Sequence, residues 1–187
     1  IVVIDGDRLE ASNLHRQTWY ALADCGKMKA ALAAARVQAL NPHVKVTAHT
    51  ERLAANSAES LLDGCDLILD CTDNFSTRYL INDTCVSLQK PFIYGAIHAW
   101  EGQFAVFHPE GPSYRSLFPV EPSPQEIPSC DEVGVIGVLP GIIGAMMANE
   151  VLKIIQKLAK QGNDSAEILI VGSASASLAG LNVLWAC

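Results

Sequence analysis

Two short apolar runs, each ending in acids, constrain the fold of this chain more than any other feature. Ile1-Val2-Val3-Ile4 leads into Asp5-Gly6-Asp7, and Leu67-Ile68-Leu69 leads into Asp70-Cys71-Thr72-Asp73-Asn74. Uninterrupted apolar runs of this kind read as buried strands. They deliver carboxylates and an amide to the carboxyl edge of the sheet, where open α/β sheets place their ligands. The Asn13-Leu14-His15-Arg16-Gln17 cluster follows the first run. Acids at two strand ends, with an arginine close by, suit a nucleotide, its metal and a charged reaction centre.

Helical stretches alternate with these strands. The Ala-rich segment 27–40 reads as a helix that stops at Asn41-Pro42, as helices do before proline. Residues 44–49 alternate and read as a strand. Residues 55–62 read as a helix capped by Asn56 or Ser57. Residues 66–70, 76–88 and 91–96 then read as strand, helix and strand. A short helical piece is expected between His15 and Ala23. Such alternation predicts an α/β fold with a Rossmann-like, doubly wound and mainly parallel sheet. The segment 102–108 adds a strand after only a short connector, so antiparallel additions are expected. Six prolines fall between 109 and 128, which predicts a long irregular loop. A long helix is expected to run to about Lys160. Residues 167–171 and 178–185 read as a closing hairpin. No internal repeat or interdomain linker interrupts the chain, so residues 1–187 are expected to form one domain.

Composition narrows the function. The formal net charge is −7 and no Lys/Arg-rich run exists, which argues against nucleic acid as a partner. The six cysteines (25, 65, 71, 85, 130 and 187) contain no CxxC pair. That is a cytoplasmic pattern rather than a disulfide framework. The apolar stretch 133–148 is interrupted by glycines and a proline and is too short for a membrane span, so a buried helix is expected there. Gly137 and Gly141 read as points of close backbone approach. The five histidines show no ligand spacing. The chain begins inside a strand-like run, and the natural protein is expected to extend upstream.

Several residues are candidates for chemistry. An acid where Asp5 stands accepts hydrogen bonds from ribose hydroxyls; the alternative is a turn cap. The planar fork of Arg16 suits phosphate oxygens, against a surface ion pair. Lys29 opens a helix, where a cation opposes the macrodipole unless an anion such as a triphosphate offsets it. Lys27 is its rival. Asp70 and Asp73 end one strand. Mg²⁺ prefers one or two carboxylates plus phosphate oxygens, and Asp73, further out, is the expected ligand. Cys130 precedes the long helix, where the dipole favours a thiolate while Asp131-Glu132 oppose it.

These segments together resemble the ThiF/MoeB/HesA family, bacterial relatives of the ubiquitin-activating enzymes. The similarity rests on Asp5-Gly6-Asp7, Ser12-Asn13-Leu14-His15-Arg16-Gln17, Gly26-Lys27-Met28-Lys29, Asp70-Cys71-Thr72-Asp73-Asn74-Phe75 with Arg78, Gly102-Gln103-Phe104 and Gly134 to Gly141. It spans nearly the whole chain in order. The resemblance implies an adenylyltransferase that binds MgATP and the Gly-Gly tail of a ubiquitin-like sulfur-carrier protein, ThiS- or MoaD-like. The carrier carboxylate would attack the α-phosphate, giving an acyl adenylate for sulfur transfer in thiamin or molybdopterin biosynthesis. By matching position, Asp5 would bind ribose and Asn13, Arg16 and Lys29 would meet phosphates, with Asp7 and Gln17 also among the cofactor-binding residues. Asp73 would hold Mg²⁺ next to Asn74. Cys130 falls where relatives carry a cysteine that bonds to the carrier. A homodimer and a sulfur donor protein are implied as partners.

Two departures from the pattern stand out. The glycine-rich loop of the family, its preceding strand and an arginine given to the partner subunit would all lie upstream of Ile1. Relatives often bind zinc through two CxxC pairs, whereas this chain has Ser113-Tyr114-Arg115-Ser116 at the first, so no zinc site is expected. Two other functions remain open on the residues alone: an NAD(P)-binding Rossmann oxidoreductase, and an inactive partner subunit of the same fold.

Overall fold

A computed structural model describes residues 1–123, 134–163 and 165–172. Its centre is a six-stranded sheet of β1 (Val2–Ile4), β2 (Thr47–His49), β3 (Leu67–Cys71), β4 (Phe92–His98), β5 (Glu101–Phe107) and β6 (Ile168–Gly172), in the order β2-β1-β6-β3-β4-β5. All neighbours run parallel except β4 and β5, which form an antiparallel pair. The helices are α1 (Lys29–Leu40), α2 (Ala55–Asp63), α3 (Phe75–Leu88), the short α4 (Tyr114–Leu117) and α5 (Leu139–Lys160). No helix among the described residues is long and apolar enough to cross a membrane.

Alternate residues of the parallel strands feed two cores, one on each face of the sheet. Val3, Leu67, Leu69, Ile168 and Ile170 pack with Ala30, Ala33 and Val37 of α1 and with Met147 and Val151 of α5. Ile4, Ile68, Phe92, Leu169 and Val171 pack with Ala58 and Leu62 of α2 and with Tyr79, Ile81 and Cys85 of α3. Both faces are therefore covered, which is why Leu67–Leu69 of β3 and Ile168–Val171 of β6 are apolar without alternation.

The segment expected to form one arm of a closing hairpin is instead an interior strand. β6 pairs with β1 on one side and β3 on the other; the other expected arm, residues 178–185, lies outside the described residues. Its four buried residues Ile168–Val171 are the sequence mark of that position. β2 is shorter than expected: β1 begins pairing at Val2, opposite Thr47, and Val44 and Val46 contribute only packing. α2 starts at Ala55 with Ala54 as its cap residue, not Asn56 or Ser57. Ser57 serves from inside the first turn, where its hydroxyl accepts from the Ala54 amide at 3.4 Å and donates to the Ala54 carbonyl at 3.2 Å.

Between His15 and Ala23 there is no α-helix; 3₁₀ turns occur at Ala11–Asn13 and Leu22–Asp24. Asn13 Oδ1 accepts from the Glu10 amide and Asp24 Oδ2 from the Ala21 amide, both at 3.1 Å. Such local side-chain bonds compete with helix continuation. The proline-rich stretch is anchored where it is described. The Tyr114 amide donates to Asn82 Oδ1 at 2.8 Å, and the Tyr79 hydroxyl lies 2.8 and 2.9 Å from the Phe118 and Val120 carbonyls. The helix expected across 133–148 begins only at Leu139. Gly137, just before it, rests on the His15 carbonyl, where a Cβ would come within 2.5 Å of the oxygen. Gly141 faces open space.

Candidate active site

The carboxyl ends of β1, β3 and β6 meet the start of α3 in one open cleft. Asp5, Gly6, Asp7, Glu51, Arg52, Thr72, Asp73, Asn74 and Gly172 are among its lining residues. The two acid-tipped runs of the sequence thus converge, although β6 lies between their strands.

Asp5 is buried, and only part of its carboxylate is satisfied. Oδ1 accepts from the Asp7 amide at 2.8 Å, while the buried Oδ2 has no hydrogen-bond partner. Burial pushes its carboxyl up from 3.8 to about 6; the Asp7 amide bond and Lys29 pull it back, and the Asp7 and Asp73 carboxylates push it further up. A buried acceptor without a donor is costly, and ribose hydroxyls are donors of the kind it lacks.

Lys29 begins α1 and is almost wholly buried. Its backbone amide donates to the Asp7 carbonyl at 3.0 Å, and its ammonium lies 3.5 Å from Asp7 Oδ2. Lys27, the rival cation, is exposed and paired with Asp24 at 2.8 Å. Asn74 caps α3 by accepting from the Thr77 amide at 2.9 Å, which leaves Asp73 exposed at the cleft mouth. Asp70 takes the turn-capping alternative: its Oδ1 accepts from the Thr72 amide at 2.9 Å and hydroxyl at 2.6 Å. Its Oδ2 faces Arg78 Nε at 3.6 Å, and Arg78 also donates to the Thr72 carbonyl at 2.7 Å. Burial pushes the Asp70 carboxyl up, against the pull of Arg78 and the two Thr72 bonds.

Asn13, Arg16 and Gln17 lie on the β1–α1 loop but do not line this cleft. Asn13 and Gln17 are buried, and half-buried Arg16 donates to the Ser12 carbonyl at 3.3 Å. Cys130 lies outside the described residues. Among the described residues no three acids, histidines or cysteines gather as a metal cage. Asp73 at the cleft mouth fits the simpler arrangement of one carboxylate plus phosphate oxygens for Mg²⁺. At the would-be zinc knuckle, the Ser113 amide donates to Ser116 Oγ at 3.0 Å, and a serine hydroxyl is no substitute for a cysteine thiolate there.

Sequence reasoning missed Arg52. Its Nη2 lies 2.7 Å from Asp7 Oδ1 at the mouth of the cleft. In sequence Glu51-Arg52 only follows the alternating run that ends at His49, and nothing there marks the arginine as reaching Asp7. Gly172 was missed too. It has φ +89°, and a Cβ there would meet the Cys71 carbonyl oxygen at 2.8 Å.

The strand order and the acid-lined cleft at the carboxyl edge define a Rossmann-like α/β domain. The chain belongs to the ThiF family, whose family model matches residues 1–174. It is similar to a sulfur carrier protein adenylyltransferase of Thermus thermophilus, at 49% identity over 84% of this chain and 60% of that protein. It is also similar to the adenylyltransferase and sulfurtransferase MOCS3 of Drosophila grimshawi, at 44% over 82% of this chain and 34% of that protein. A SAMP-activating enzyme E1 of Haloferax volcanii matches at 43% over 83% and 57%. The chain thus spans between about a third and three-fifths of the length of these relatives. Among solved structures, E. coli MccB with succinimide superposes with a TM-score of 0.70 at 19% identity, covering 84% of this chain and 48% of that one. That likeness supports the fold alone.

Proposed function

We propose that this chain carries out ATP-dependent adenylation of the C-terminal glycine carboxylate of a ubiquitin-like sulfur-carrier protein, ThiS- or MoaD-like. The observation that carries the reading is the meeting of Asp5, Asp7 and Asp73 in one cleft, with buried Lys29 against Asp7. The names of the relatives supply the substrate class. Asp5 Oδ2 accepts from the ribose, and Lys29 leaves its loose contact with Asp7 for phosphate oxygens. Asn13, Arg16 and Gln17 do not line the cleft and are assigned to the nucleotide by the family likeness alone; Asn13 Oδ1 is used internally, which leaves its amide nitrogen for an anion. Asp73, next to Asn74, holds Mg²⁺, which neutralises phosphate charge when bound. The carrier carboxylate oxygen attacks the α-phosphorus and pyrophosphate departs, leaving an acyl adenylate. Catalysis here is positioning and charge neutralisation, with no dedicated base. Neither Lys29 nor Asp73 would have a phosphate partner of this kind in an NAD(P) oxidoreductase.

Cys130 would then accept the activated carrier as a thioester, expelling AMP. A sulfur donor protein would complete transfer toward thiamin or molybdopterin. We place the reaction in the cytoplasm, in a homodimer, without zinc.

ATP–pyrophosphate exchange in the presence of a ThiS- or MoaD-like carrier tests the reading. No exchange with either carrier overturns it. Asp73→Ala is expected to lower exchange by about 10²–10³, the usual loss for one charge-stabilising group. A folded variant with near-normal exchange would remove Asp73 from the metal role.

A further inference from the structure

The cleft presents an excess of negative charge to what is, on the proposed function, an anionic nucleotide. Asp5, Asp7, Glu51 and Asp73 all line it, and among the described residues its lining holds one cation, Arg52. Arg52 is not placed loosely. Its stem crosses Gly6, where a Cβ would come within 2.8 Å of Arg52 Cγ and 2.9 Å of Arg52 N. Only a residue without a side chain lets the two segments approach so closely. The crossing brings Arg52 Nη2 to 2.7 Å from Asp7 Oδ1, while Lys29 reaches the other oxygen of the same carboxylate at only 3.5 Å. One carboxylate is therefore shared by two cations, tightly by the exposed arginine and weakly by the buried lysine.

We propose that Arg52 is a positioning residue: by holding Asp7, it frees the Lys29 ammonium to meet the nucleotide phosphates. With Arg52 in place, Asp7 keeps a counter-ion after Lys29 turns away. Without Arg52, the carboxylate has Lys29 as its remaining partner and competes with phosphate for it. Arg52 thus acts through Asp7 and Lys29 and need not touch the nucleotide.

The inference rests on the ATP-site reading, and the experiment separates the two. ATP binding is measured by calorimetry, and KM for ATP and kcat by pyrophosphate exchange, for the full chain and for Arg52→Ala, Arg52→Lys, Asp7→Asn and Arg52→Ala/Asp7→Asn. Arg52→Ala is expected to weaken ATP binding and raise KM by about fivefold, the upper end for an exposed ion pair, with kcat little changed. Arg52→Lys should recover part of the loss. In the Asp7→Asn background, removing Arg52 should cost nothing further, because there is no carboxylate left to hold. An equal loss in both backgrounds would mean that Arg52 meets the nucleotide directly, which overturns the proposal. So would wild-type affinity in a folded Arg52→Ala protein. Absence of ATP binding in the unaltered chain would overturn the ATP-site reading itself, and this inference with it.

Discussion

Asp5 shows what a ligand-ready residue costs the folded chain. Its carboxyl is pushed up from 3.8 to about 6, chiefly by burial. The folded chain therefore binds this proton more tightly than the unfolded chain. Below about pH 4 both states are protonated and there is no penalty. As pH rises from 4 to 6 the penalty grows, and above 6 it is complete, so this group lowers stability as pH rises through that window. The full effect is about 3 kcal/mol. Asp5→Asn keeps an acceptor for the Asp7 amide and removes the charge. It is expected to raise the thermal midpoint at pH 8 and leave it nearly unchanged at pH 3.5, while weakening ATP binding. Equal stabilisation at both pH values would show that the charge is not the cause. The sequence pointed to Asp5 because acids at strand ends are informative by position. It was silent on Arg52 because a single arginine in a connector acquires meaning only from the glycine it crosses, and that crossing is tertiary.

At the level of elements, the turn joining β3 to α3 is clamped from below. Arg78, one turn into α3, reaches back to the Thr72 carbonyl and to Asp70, with its guanidinium over the Tyr94 ring at 4.8 Å. Asp73 rides on that turn. Arg78→Met would leave Asp70 buried without its counter-charge, a loss of about 3–5 kcal/mol for pairs of this kind. Denaturant unfolding should show this, and Asp70→Asn/Arg78→Met should recover much of it. A loss below about 1 kcal/mol in the single variant would show that Asp70 is not charged in the fold. Local pattern was enough for α1, β3, α3 and the β4–β5 pair, where propensity, periodicity and burial agree. It read β6 as a strand but not as an interior one, since the apolar run of four, Ile168–Val171, fits an interior strand and a hairpin arm equally well. Which one forms depends on neighbours supplied from far away in the chain.

Across the molecule, among the described residues, one helix face stands apolar and exposed. Val138, Ile142, Met146 and Leu152 lie along one face at the start and middle of α5 and are 63%, 54%, 45% and 37% exposed. Single exposed apolar residues are ordinary, but a stripe along one helix face marks an interface. The proposed homodimer would cover it. Light scattering is expected to give twice the chain mass at micromolar concentration, and Ile142→Asp/Met146→Asp to give a monomer with an unchanged circular dichroism spectrum. A monomeric parent chain would sink this assignment. The sequence reads 133–148 as a buried helix, and which side faces outward followed only from the packing of Ile143, Met147 and Val151 against the sheet.

The interior place of β6 has a consequence for how the molecule comes into being. Val2 pairs with Leu169, so β1 waits for β6. Until Ile168–Gly172 leaves the ribosome, the nascent chain owns two separate fragments, β2-β1 and β3-β4-β5, with a gap where the sheet should join. Such distant pairing slows folding and leaves unpaired strand edges exposed in the meantime. Emergence of Ile168–Gly172, not of the strands before it, is then the event that joins β1 to β3 and completes the cleft.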